Sequence, residues 1–171
     1  MMDISLQCVA LGLSRQRAYR GLRLPQFILL FTAGVLLTAA RTGAAPLIID
    51  DFSYASSLAA RQAWVNTGAP AVNMSTSGEW SADQVMVLTC DFATRNTRCT
   101  WDRSVTLNLA AYAEFALEVY APNPAVISSF TLYFRSGAGW YGCSATLKQT
   151  GWQTLRFAVG DFVPEGTPAG W

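Results

Sequence analysis

The chain has 171 residues, enough for one domain with its own core but not comfortably for two. Half of its residues are hydrophobic, 13% are charged and 12% are aromatic, which excludes a disordered polar chain. Its formal charge of +1 conceals an asymmetry, because five of the twelve cationic residues (Arg15, Arg17, Arg20, Arg23, Arg41) precede residue 46. From Pro46 onward seven basic residues face ten acidic ones, with no Lys/Arg stripe to attract nucleic acid. The chain contains no histidine. That excludes serine or cysteine nucleophiles activated by histidine and removes the commonest metal ligand, leaving carboxylates as the only acid–base chemistry.

In chain order, Arg15 to Arg23 form a basic stretch, followed by the apolar run FILLFTAGVLLTAA from Phe27 to Ala40 and by the small residues ARTGAAP. That order predicts a secretory signal helix over residues 1–45, cleaved near Ala44 or Ala45. The run is shorter than the ~20 residues a membrane-spanning helix requires. A secreted, periplasmic or cell-surface protein with no membrane contact after cleavage is therefore expected, ahead of an uncleaved membrane anchor. Export would permit disulfides. Cys90 ends the apolar run QVMVLTC and Cys99 opens CTWDRSVTL, with ATRNT between them reading as a turn. A hairpin there would set the two cysteines opposite each other, either as a Cys90–Cys99 bridge or as two reduced, buried cysteines. Cys143 is left for the core.

Beyond residue 46, alternation of apolar and polar residues predicts strands at 47–52, 71–74, 84–92, 98–107, 113–120, 127–135, 139–147 and 152–157. Turn chemistry separates them at Asn66 to Pro70, at APNP (Ala121 to Pro124), at SGAG (Ser136 to Gly139) and at Gln149 to Gly151. Only Ser56 to Trp64 reads as helical, with Ser56 or Ser57 as its N-cap. Period-two bookkeeping gives Phe115, Leu117 and Val119 one face and Glu114, Glu118 and Tyr120 the other. It likewise separates Phe130, Leu132 and Phe134 from Thr131, Tyr133 and Arg135. Two packed antiparallel sheets are the economical way to bury such faces, so the expected class is an all-β sandwich or jelly roll.

The run SSFTLYFRSGAGWYGCSATL (Ser128 to Leu147), followed by GWQTLRFAVGDF and EGTPAGW, carries a further signal together with DDF at Asp50 to Phe52, ARQAW at Ala60 to Trp64 and WDRSVTLNL at Trp101 to Leu109. Residues 47–171 resemble the galactose-binding-like jelly-roll domains that accompany bacterial exported glycoside hydrolases. The resemblance implies a carbohydrate-binding β-sandwich, often beside a catalytic domain on one polypeptide. It also implies another strand after GTPAGW that pairs with the first strand. The chain therefore reads as a C-terminally incomplete domain, with an open sheet edge and marginal stability on its own.

Sugars stack their C–H faces on aromatic rings while planar polar side chains bind the hydroxyls. Tyr133, Arg135, Trp140 and Tyr141 have that mix across one tight loop, and Trp101, with Asp102 and Arg103, forms a second cluster. Glu118 and Tyr120 are expected to face the same way, with Arg135 able to pair with Glu118 across neighbouring strands. The resemblance makes Asp50 and Asp51 weak candidates for a structural calcium, which requires six to eight oxygens; no other cofactor is expected. No carboxylate pair sits in a catalytic motif, so the expected role is non-catalytic: binding a polysaccharide or glycan, with a hydrolase domain as neighbour. The alternative is a structural spacer that packs against a catalytic domain and binds no sugar.

Overall fold

The computed structural model describes residues 2–10, 27–31, 36–38, 47–76, 84–90, 92 and 98–170. Its strands are β1 (Met2–Ala10), β2 (Phe27–Phe31), β3 (Leu36–Thr38), β4 (Leu47–Ile48), β5 (Val65–Thr67), β6 (Asn73–Ser75), β7 (Val85–Cys90), β8 (Arg98–Val105), β9 (Glu114–Ala121), β10 (Ile127–Ala145), β11 (Gly151–Ala158) and β12 (Val163–Pro168). Among the described residues there is one α-helix, α1 (Ser57–Ala63), between β4 and β5. The protein is all-β and sandwich-like. A five-stranded sheet runs β12-β10-β1-β8-β5, and a second runs β4-β3-β9-β2-β7-β6 with β11 added against β9. Every strand pair in the two ladders is antiparallel.

The expected face assignments hold. Phe115, Leu117 and Val119 from one sheet and Phe130, Leu132 and Phe134 from the other are fully buried. The rings of Phe115 and Phe134 meet between the sheets with centroids 4.5 Å apart. Burying side chains of this size contributes roughly 1.5–3 kcal/mol each, so these two strands supply much of the core. The helix starts as expected: Ser56 is the N-cap, and its hydroxyl accepts from Ala59 N–H at 3.2 Å.

The segment 127–145 is continuous strand yet doubles back on itself. Thr131 Oγ1 lies 2.8 Å from Ser144 Oγ. A Cβ on Gly142 would stand 2.5 Å from the Tyr133 ring, and the Arg135 guanidinium sits over the Trp140 ring. These contacts share one register and place the reversal at Gly137 and Ala138, with Gly137 at φ +62°. The hairpin expected from SGAG is therefore present. Its first arm pairs with β1 and its second arm with β12.

Three expectations are corrected. The described parts of residues 1–45 are strands where helix was expected, and the basic stretch 15–23 and the cleavage site near Ala44 or Ala45 lie outside the described residues. β1 runs between β8 and β10, β2 between β7 and β9, and β3 between β9 and β4. A short apolar run is compatible with either state, and here the alternation Ile4, Leu6, Cys8 against Asp3, Ser5, Gln7 gives β1 the period of a strand. Ile4, Leu6 and Cys8 are fully buried. Secondly, the last strand expected within the chain was 152–157, yet 163–168 forms β12 at the sheet edge, where proline is tolerated. Gly139 makes this possible: a Cβ there would come within 2.3 Å of Pro168 N and 2.6 Å of Glu165 O. Thirdly, the first strand after residue 46 is only Leu47–Ile48, and the chain then turns at Phe52, which has φ 55°. Among the described residues no helix is long and apolar enough to cross a membrane.

Candidate functional site

The outer face of the five-stranded sheet follows directly from strand register. Asp3 stands between Arg135 and Ser104, and Ser5 between Tyr133 and Asp102. The hairpin adds Trp140 beside Arg135. The result is a polar surface with two rings at one side. Tyr133 and Trp140 meet edge to face at 6.2 Å, and the Arg135 guanidinium lies 5.8 Å from the Trp140 centroid. Arg135 Nη1 also reaches Asp3 Oδ2 at 3.4 Å, and the Ser104 hydroxyl donates to Asp3 Oδ1 at 2.7 Å. Tyr133 donates to Glu165 at 3.2 Å, so its hydroxyl is tied to β12. Partial burial, followed by the Glu165 charge, raises the Tyr133 pKa. A hollow of about 470 Å³ opens beside Trp140 and Arg135, walled by Asp3, Asp102, Arg103 and Gln62.

Of the five expected binding residues, three come together here and two do not. Tyr141 follows Trp140 along a strand and so faces the other way, packing against the core with its hydroxyl donating to Ala169 O at 3.0 Å. Trp101 is fully buried, and its indole N–H donates to Pro70 O at 2.8 Å. The pattern was readable, since Cys99 and Trp101 share one strand face and both are buried. Glu118 and Tyr120 belong to β9 in the opposite sheet. Arg135 pairs with Asp3 instead of Glu118, and Glu118 accepts from Thr154. Asp3, Ser104 and Gln62 were missed; Asp3 lay in a stretch read as a leader, where its alternation with Ile4 and Ser5 was the available clue.

Asp50 and Asp51 do not form an open carboxylate pair. Asp50 is 6% exposed and is a hub for donors. Its Oδ1 accepts from Phe52 N–H at 2.7 Å, and its Oδ2 accepts from the Tyr54 hydroxyl at 2.5 Å and the Trp64 indole N–H at 2.8 Å. The Arg103 guanidinium pairs with the same oxygen and also donates to the Tyr54 hydroxyl at 2.9 Å. A cation at Asp50 would have to displace that guanidinium, so the oxygens present do not fit the calcium shell expected there. Burial lowers the Arg103 pKa and raises that of Tyr54. Asp51 points outward, and its carboxylate is held below the ordinary value of 3.8 by bonds from the Ser53 hydroxyl and N–H.

Cys90 and Cys99 are thiols. They are not hairpin mates, because β7 and β8 belong to different sheets; the turn expected at residues 93–97 lies outside the described residues. They nevertheless approach each other across the core. Cys99 faces Cys8 in the β1–β8 ladder. A hydrogen bond with Cys8, assisted by burial, holds the Cys90 thiol well above its ordinary pKa of 9.0, against an opposing bond with Cys99.

No family model matches the chain, and no curated protein or solved structure matches it.

Proposed function

We propose that this chain is an exported, non-catalytic carbohydrate-binding module of galactose-binding-like jelly-roll type, which takes a polysaccharide or glycan beside Trp140. The observation that carries the reading is the joining of Tyr133, Arg135 and Trp140 on a polar sheet face next to a hollow. A partly exposed indole offers a stacking surface for pyranose C–H bonds, while Arg135, Asp3, Asp102 and Ser104 supply donors and acceptors for hydroxyls. The lining of the hollow carries two carboxylates, Asp3 and Asp102, against two guanidiniums, Arg103 and Arg135, a balance that suits an uncharged sugar. The sequence resemblance adds a glycoside hydrolase as the natural neighbour on a longer polypeptide.

Affinity electrophoresis of the full chain through gels containing plant and algal polysaccharides tests the reading. Retardation by at least one polymer is expected, and Trp140→Ala should weaken it about tenfold, the loss of one good stacking contact and its associated bonds. A folded chain that migrates freely through every gel would refute it. Export is supported by the basic stretch and apolar run before residue 46. Removing that leader would also remove β1, β2 and β3, so the intact mass of the protein recovered from outside the cell shows whether they stay.

A further inference from the structure

The other sheet carries a second hollow, of about 680 Å³, along β11 and the loop that leads into it. Trp152 lies in its wall, partly exposed, with Tyr120 edge-on at 5.4 Å and Val85 and Val87 beneath the pair. Around the indole stand two planar amides, Gln149 and Gln153, a cation, Lys148, and a carboxylate, Glu118. The loop is built to hold them. Gln153 Nε2 donates to Gln149 O at 2.9 Å, Gln149 Nε2 donates to Trp152 O at 3.2 Å, and Lys148 N–H donates to Gln153 Oε1 at 3.0 Å.

We propose that this groove is a second saccharide-binding site, for a neutral pyranose chain, making the module bivalent. The inference rests on the proposed carbohydrate-binding role but on none of the residues that carry it. Three features point to a neutral sugar. An aromatic ring on an apolar footing gives the C–H face a platform. The amide capacity beyond those loop bonds, Gln149 Oε1 and the second Nε2 hydrogen of each amide, supplies an acceptor and donors for hydroxyls. The charges cancel locally: Arg156 pairs with Glu114 at 2.5 Å, and Lys148 is balanced by Glu118, so neither a uronate nor a phosphate finds an excess of cations. Because β9 and β11 belong to the opposite sheet from the Trp140 hairpin, two chain segments could be held at once. Linked sites raise apparent affinity for a polymer without any new contact.

The test uses the full chain in native gels containing xyloglucan, galactan or laminarin, with Trp140→Ala, Trp152→Ala, Gln149→Ala and the double tryptophan variant, each checked by near-UV circular dichroism. Trp152→Ala should weaken retardation about fivefold to tenfold, Gln149→Ala somewhat less, and the double variant should migrate freely. If Trp152→Ala disturbs packing against Val85 and Val87, the exposed Gln149→Ala decides. Wild-type retardation unchanged by both Trp152→Ala and Gln149→Ala overturns this site and leaves the Trp140 reading standing. Loss confined to the Trp152 and Gln149 variants supports it and overturns the Trp140 reading. Free migration of the wild type in all three gels overturns both.

Discussion

Two strands flank the β10 hairpin, one on each arm, and they contribute in opposite ways. β1 pairs with the first arm and β12 with the second, each through an antiparallel ladder. Yet Ile4, Leu6 and Cys8 of β1 are fully buried, whereas β12 is exposed along nearly its whole length, with Val163 63% exposed. Backbone hydrogen bonds exchange water partners for protein partners at modest net gain, about 0.5–1.5 kcal/mol each. Strands with comparable ladders therefore differ in worth according to what their side chains bury. β1 also joins two halves of a sheet, since β8 and β10 meet only through it, whereas β12 ends one.

The sharpest way to break this comparison is to remove one side of it. A chain of residues 46–171 lacks β1, β2 and β3, leaving gaps inside both sheets. It should show no cooperative thermal transition by circular dichroism, while the full chain does; a sharp transition in the shorter chain would mean that these strands are dispensable. Next in size, Asp50→Ala should cost about 3–5 kcal/mol in urea denaturation, because it strands the Arg103 guanidinium and leaves the Trp64 and Tyr54 donors unpaired. Arg103 stands opposite Ile4 in the β1–β8 ladder, so this variant should loosen β1 first, seen as faster amide exchange there. Leu6→Ala should cost about 2–5 kcal/mol against about 0.5 kcal/mol or less for Val163→Ala; equal costs would erase the distinction between the two strands. The smallest effect lies outside both. Asp51 has a folded pKa below its unfolded value, so its favourable contribution is complete above the unfolded value and is lost as pH falls through the folded one. On acidification from pH 5 to pH 3 the wild type should therefore lose slightly more stability than Asp51→Asn, as read from urea midpoints.

Much of the sandwich was legible where one face is buried and the other wet. Phe115, Leu117, Val119 and Phe130, Leu132, Phe134 announce their faces by period two, and Ser136 to Gly139 announce the reversal. That hairpin is also why Tyr133, Arg135 and Trp140 could be grouped from sequence alone. Adjacent residues on a strand face opposite ways, which separates Tyr141 from Trp140 and was equally available. Other features were hidden for physical reasons. The alternation in β1 is only a few residues of each kind, and its partners lie far along the chain, so nothing local identifies it as an interior strand. β12 contains Val163 to Pro168, a composition typical of loops, and becomes a strand only because Gly139 lets it approach. Asp50 looks like a solvated carboxylate until Arg103 and Trp64 are brought to it by two other segments and Tyr54 turns back from its own loop.

The position of β1 has a consequence for how the molecule is made. Its side chains bond across 101 residues to Ser104 and 132 residues to Arg135, and its Val9 carbonyl across 119 residues to Ser128. β1 therefore leaves the ribosome about a hundred residues before its neighbours exist. Closing loops of that size is entropically slow, and topologies dominated by distant pairings acquire their native form on the order of milliseconds to seconds. The five-stranded sheet can close only after synthesis has passed the β10 hairpin, so until then β1 has no partner on that side.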